Sequence, residues 1–113
     1  MKINSYTKDD VVVLEPAGKL VGGPDVGELD EKLYALLGRK QKKVILDLGK
    51  TAWIASSGIS ILIHHYTKFK EIGGNLKLAN LTKKIQEIIA ITKRTLVFDV
   101  YDTLEAALDS FKE

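Results

Sequence analysis

Two adjacent hydroxyls and a glycine, Ser56-Ser57-Gly58, stand where the apolar run Ala52-Trp53-Ile54-Ala55 gives way to the helical pattern opened by Ile59-Ser60-Ile61-Leu62. Serines at a helix start can do two things. The commoner is capping, in which the hydroxyl accepts a first-turn backbone N–H and contributes about 1 kcal/mol. The other is to carry a phosphoryl group. Unpaired N–H groups and the aligned peptide dipoles, equivalent to roughly +0.5 charge, stabilise an anion at that end of a helix. Trp53 and Ile54 are expected to finish the core, with anchoring of a partner as the other reading. An apolar rim around a modifiable hydroxyl would make binding sensitive to phosphorylation, because about −2 charge in a dry interface costs desolvation and repulsion.

Other chemistry is poorly supplied. His64 and His65 are the only histidines. Neighbours on a helix point about 100° apart, so they do not share a metal as an i, i+4 pair does, and no Asp or Glu accompanies them at ligand spacing. They are expected to be solvated or half-buried helix residues. As a base for Ser57 they lie roughly 10 Å along the same helix axis, too far for a nucleophile–base pair. Gly18, Gly22 and Gly23 lack both the G-x-G-x-x-G order and the Gly-Lys-Ser/Thr ending of a phosphate loop, and read as a turn. Asp47 closes an apolar strand with no second carboxylate to work with, which suits a hydrogen-bonded structural role. No enzyme activity, cofactor or metal is expected.

The elements that must position the serines follow from periodicity. Ile3 to Tyr6 and Val11-Val12-Val13-Leu14 read as paired strands, the second ending near Pro16. Val26, Leu29, Leu33, Leu36 and Leu37 recur at helical spacing between Asp25 as N-cap and Gly38 as stop, giving a helix over 25–38. Val44-Ile45-Leu46-Asp47-Leu48 is short and almost wholly apolar, as a strand covered on both faces is, and takes the central position. Ile59, Leu62, Ile63, Tyr66 and Phe69 line a helix that Gly73-Gly74 ends. Leu76 to Ala79 alternates as a strand, and Leu81, Ile85, Ile88 and Ile89 mark another helix. A strand over 96–100 leads through Asp102 into a last helix with Leu104, Leu108 and Phe111. Strands joined by helical crossovers imply one small α/β domain spanning 1–113, a mixed sheet of four to five strands packed with about four helices.

Composition narrows the partners. Seventeen basic against fifteen acidic residues leave a net charge of +2 over 113 residues, too balanced for a nucleic-acid binder. Arg39-Lys40-Gln41-Lys42-Lys43, the densest basic run, reads as a solvated connection between elements. With no Cys there is neither a disulfide framework nor a thiolate metal site, and no apolar run approaches the ~18 residues that span a bilayer. A cytoplasmic location is expected.

The order of elements, with Val44-Ile45-Leu46-Asp47-Leu48, Ala55-Ser56-Ser57-Gly58-Ile59 and Ile72-Gly73-Gly74-Asn75-Leu76, resembles the STAS-domain proteins of the bacterial anti-sigma factor antagonist family over nearly the whole chain. That family's central motif is Asp-Ser-Ser/Ala-Gly-Leu, and its second position after the Asp is the phosphorylated serine, which is Ser57 here. The resemblance implies a non-catalytic switch in transcription regulation. The unmodified protein would bind a serine kinase that doubles as an anti-sigma factor, so releasing a sigma factor; phosphorylation of Ser57 would end that binding and a phosphatase would reset it. Its partner surface would comprise Lys19, Gly22, Gly23, Ser56, Ser57, Gly58 and Ile59, within and beside the Gly18–Pro24 loop. STAS-like domains also serve as cytosolic subunits of lipid-transport ABC systems, and as interaction modules that no kinase modifies. Ala55 stands where the family usually has Asp, and Val21 where it commonly has Asp, so a charged hydrogen-bonding group beside the serines is absent.

Overall fold

The computed structural model describes residues 2–91 and 98–112. The chain opens on a hairpin. Strands β1 (Lys2–Lys8) and β2 (Val11–Leu20) run antiparallel, from Lys2 opposite Ala17 to Lys8 opposite Val11. Asp9 and Asp10 turn the chain between them with φ of 52° and 68°, the positive pair that lets a two-residue turn follow the strand twist.

Strand β2 runs past Pro16 instead of ending there. It pairs in parallel with β3 (Lys43–Asp47) over Val12–Leu14 and with β4 (Thr51–Ile54) over Gly18–Leu20, so Pro16 lies in the gap between the two partners. A residue without an N–H is tolerated where neither neighbour needs one. The Pro16 carbonyl is used, accepting a 2.9 Å hydrogen bond from the buried Thr51 hydroxyl.

Helix α1 (Gly23–Gly38) begins two residues before Asp25. Gly22 is its N-cap and Pro24 sits in the first turn, where a missing N–H costs nothing, while Asp25 places its charge against the positive end of the dipole. Helix α2 (Ser56–Glu71) ends as the Gly73-Gly74 pair indicates. Gly74 N–H donates to the Phe69 carbonyl at 2.8 Å and Gly73 N–H to that of Lys70 at 3.1 Å, the two bonds of a Schellman cap, with Gly73 in the left-handed region at φ 80°. The remaining elements are β5 (Asn75–Ala79), α3 (Lys83–Ile91), β6 (Asp99–Tyr101) and α4 (Leu104–Ser110). Thr103 caps α4 by accepting from Ala106 N–H at 3.0 Å. Of the strand expected over 96–100, residues 96 and 97 lie outside the described residues.

The sheet is mixed, in the order β1-β2-β3-β5-β6, with β4 extending β2 off that path and only β1 antiparallel. The α/β class and the four helices are as expected, but the described residues hold six strands and not four to five. The extra one is β4. At four residues with Ala52 and Trp53 exposed, it carries no apolar alternation to betray it.

Successive residues of β2 are buried on both faces. Val12 and Leu14 pack with Leu29 and Leu33 of α1, Leu62 and Phe69 of α2, and Ile85 and Ile89 of α3. Val11 and Val13 face the other way, with Ile45, Ala79, and Ala107 and Leu108 of α4. The sheet is thus a middle layer whose central strands are continuously apolar because neither face meets water.

Candidate functional site

Because β2 and β4 run parallel, their carboxyl ends finish side by side. Leu20 lies opposite Ile54, and Ala55 N–H donates to the Leu20 carbonyl at 2.8 Å. The loop leading into α1 and the start of α2 therefore leave the sheet at one edge, the position at which parallel sheets bind their ligands. A Cβ built on Gly22, whose φ is 113°, would stand 3.6 Å from the Ser57 hydroxyl oxygen. The Gly22 loop and the start of α2, 35 positions apart, thus lie side by side.

Neither serine caps α2. Ala55 is the N-cap, extended at φ −87° and ψ 171°, and no side chain bonds back to the first turn. The expected cap fails because a capping oxygen must precede the first helical residue, and Ser56 and Ser57 already are the first two. Both hydroxyls are exposed instead, on a first turn that holds no acidic residue and whose leading N–H groups have no intrahelical acceptor.

The candidate contact residues divide into two groups. Lys19, Gly23, Ser56 and Ser57 are exposed and Gly22 is half-buried. Gly58 and Ile59 are buried, so they shape the edge without facing a partner. At Gly58 a Cβ would meet Ile54 Cγ2 at 3.0 Å, the Leu20 carbonyl oxygen at 3.1 Å and Leu20 Cβ at 3.3 Å. Glycine here lets the helix start settle onto the seam between β2 and β4.

Trp53 departs from the expectation of core packing: Ile54 is 1% exposed, Trp53 40%. The register explains it. Gly18 opposes Thr51 but Lys19 opposes Trp53, so Ala52 is an extra residue in β4, and a bulge of that kind re-aims the side chain that follows. The indole is covered in part by the Lys84 ammonium of α3, 5.0 Å from the ring. Val21, 52% exposed, lies in the adjoining loop. Sequence reasoning missed the bulge and hence this exposed pair, and only the short length of the Thr51–Ile54 segment hinted at it.

A family model described as the STAS domain matches residues 2–107. The chain belongs to the STAS-domain family. Among relatives, it is 27% identical over 93 residues to BtrV of Bordetella bronchiseptica, whose name assigns it to the anti-sigma factor antagonists, covering 82% of this chain and 80% of that one. A Thermotoga maritima structure assigned to the same group aligns at TM-score 0.89 and 20% identity, over 98% of this chain and 95% of that one. The anti-sigma factor antagonist SpoIIAA in its unphosphorylated form aligns at 0.75 and 16% identity, over 98% of both chains. SpoIIAA from Bacillus in its phosphorylated form aligns at 0.74 and 15%, over 97% and 99%. At these identities the structures establish a shared STAS fold.

Asp47, at the carboxyl end of β3 in this STAS domain, has a structural role. It is 4% exposed and accepts from Gly49 N–H at 3.0 Å and from Asn80 Nδ2 at 3.2 Å, tying the turn after β3 to the end of β5, as its lack of a carboxylate partner suggested. Among the described residues, no group of three or more His, Asp or Glu side chains is placed to hold a metal, and no helix is long and apolar enough to cross a membrane.

The histidines differ from each other. His64 is exposed and shares a 2.8 Å hydrogen bond with the Tyr34 hydroxyl. His65 is fully buried, its Nε2 2.6 Å from Asp30 Oδ1 of α1, a carboxylate invisible to spacing rules because it lies 35 residues away. A carboxylate only accepts, so Nε2 carries the proton. Nδ1 is buried with no partner, and the Tyr34 and His64 rings pack edge-on at 4.6 and 5.2 Å. Burial pushes the His65 pKa below its ordinary value, against the opposing pull of Asp30, since a second proton would sit on Nδ1 with nothing to receive it.

The unfolded chain therefore takes up that proton more readily than the folded one. The stabilisation is complete above the unfolded pKa of about 6.5 and is lost as pH falls below it toward the lowered folded value. Melting temperature should drop between pH 7 and pH 5, and His65→Gln, which keeps a donor for Asp30 without titrating, should flatten that slope. Superimposable pH profiles for the two proteins would refute the assignment.

Proposed function

We propose that this STAS domain is an anti-sigma factor antagonist, a non-catalytic switch that binds a serine-kinase/anti-sigma factor while Ser57 carries a free hydroxyl, and so releases a sigma factor. Phosphorylation of Ser57 by that kinase ends the binding, and a phosphatase restores it. The observation that carries this reading is the setting of Ser57: an exposed hydroxyl on the first turn of α2, against the left-handed Gly22 loop and near the exposed apolar side chains of Val21 and Trp53.

That setting treats a phosphate in two opposite ways. Within the domain, the first-turn N–H groups and the helix dipole favour a dianion, so the modified state is tolerated. Across an interface closed by Val21 and Trp53 the same charge must be stripped of water, so the complex is not tolerated. Ala55 sharpens the first effect. An Asp at that N-cap would accept a first-turn N–H and repel a phosphate, whereas alanine leaves the donors free.

Incubation with the cognate kinase and labelled ATP tests the proposal. Label should be incorporated, survive Ser56→Ala and vanish in Ser57→Ala, and Ser57→Asp should lose binding to the kinase. Failure of the unmodified chain to take up any label rejects the switch.

A further inference from the structure

At the edge of the sheet opposite Ser57, four ammonium groups line one groove of about 360 Å³. Lys42 and Lys43 belong to the basic run ahead of β3, Lys70 closes α2, and Lys77 rises from β5. Cross-strand pairing places Lys43 beside Asn75 and Ile45 beside Lys77, so Lys43, Asn75 and Lys77 share the face that α4 covers, and Ser110 and Phe111 at the end of α4 complete the groove.

Lys77 is the unusual member. It is 7% exposed, and lysine is almost never buried that far without a counter-charge. Its ammonium donates to the Ser110 hydroxyl at 2.7 Å and rests 4.1 Å from the Phe111 ring centre and 5.3 Å from that of Tyr101. None of these neighbours is an anion. Asp99, its cross-strand neighbour, is engaged by Asn75 Nδ2 at 2.6 Å. Among the described residues, no carboxylate lies within ion-pair distance of Lys42, Lys43, Lys70 or Lys77. The carbonyl end of α2 accounts for Lys70 in its last turn but not for a lysine on a strand.

We infer that this groove binds a phosphate-type oxyanion. Lys77 forms its floor, held in place by the Ser110 hydroxyl, whose own proton goes to the Ala107 carbonyl at 2.6 Å, and Lys42, Lys43 and Lys70 form its rim. Charge-assisted hydrogen bonds from lysine supply the attraction as point charges, and the buried position of Lys77 shields its share from salt. The site is remote from Ser57 and independent of the proposed switch.

Two-dimensional NMR of the full chain, titrated with sodium phosphate and, separately, with glycerol phosphate at constant ionic strength, tests it. Saturable shifts should centre on Lys43, Asn75, Lys77 and Ser110, and chloride should not reproduce them. Saturation with glycerol phosphate as well as inorganic phosphate identifies a phosphomonoester ligand; saturation with inorganic phosphate alone identifies the free ion. Lys77→Met should weaken affinity at least about tenfold and Ser110→Ala by less, with Lys8→Gln on β1 unchanged. Should Lys77→Met lose its native spectrum, the double variant Lys43→Gln/Lys70→Gln must show the loss instead. Unchanged affinity in a folded variant, equal shifts with chloride, or shifts centred on the first turn of α2 would overturn the site.

Discussion

Alanine at position 74 lowers stability by about 3 kcal/mol and the melting temperature by at least about 10 °C, the largest effect expected of any single methyl group in this chain. A Cβ there would be driven onto the Lys42 carbonyl oxygen and to within 2.7 Å of the Lys42 Cα. Both are backbone, and both are held in place: the same carbonyl accepts the 2.8 Å bond from Asn75 N–H that starts β5 alongside β3. No rotamer change relieves the contact, so the strand pair must part or the Schellman cap must open. Gly27→Ala supplies the control. Gly27 lies inside α1 with nothing within 4 Å of a built Cβ, and the same substitution should stabilise by up to about 1 kcal/mol. Thermal or urea unfolding of the pair decides; a Gly74→Ala protein within 1 kcal/mol of the parent would show that the close approach is not rigid.

Valine at position 58 costs about 3 kcal/mol as well, and it also abolishes partner binding in the protein that remains folded. Alanine at this position must displace Ile54 Cγ2 and the Leu20 carbonyl by only a few tenths of an ångström, and the gain of about 1 kcal/mol in helix propensity offsets that, leaving Gly58→Ala nearly neutral. Valine adds two methyl groups to a seam already closed. The start of α2 must lift, and Ser57 leaves the Gly22 loop. Unfolding curves together with kinase binding separate the consequences. Full binding by folded Gly58→Val would mean that the Gly22–Ser57 contact is irrelevant to recognition.

What the residues disclosed in advance depended on how local the governing interaction is. Helices α1 and α2 were legible because an apolar stripe and a glycine stop are written within sixteen residues, and β3 because both its faces are buried. Pro16 misled, since its cost depends on which strand lies beside it, and at that point β2 changes partner. Strand β4 escaped notice because a bulge at Ala52 turns Trp53 to solvent, breaking the alternation by which a strand is read. The site was half legible. The resemblance singled out Ser57 and the Gly18–Pro24 loop, and the structure sets the two side by side; but capping by the serines fails by a single residue, and Gly58 and Ile59 are inside. The Asp30–His65 pair arises only when α1 and α2 pack together.

The change of partner along β2 has one more consequence. Below Pro16 the strand is committed to the centre of the sheet, where Val12 and Leu14 are fixed by neighbours on every side. Above it, Gly18 and Lys19 are exposed and pair only with β4, while Leu20 turns back into the core. A single strand thus separates what must be kept from what can vary. Lys19, Val21 and Trp53, all exposed at that end, can be substituted without disturbing the packing that folds the domain, so its surface chemistry there is free to diverge while the frame stays fixed.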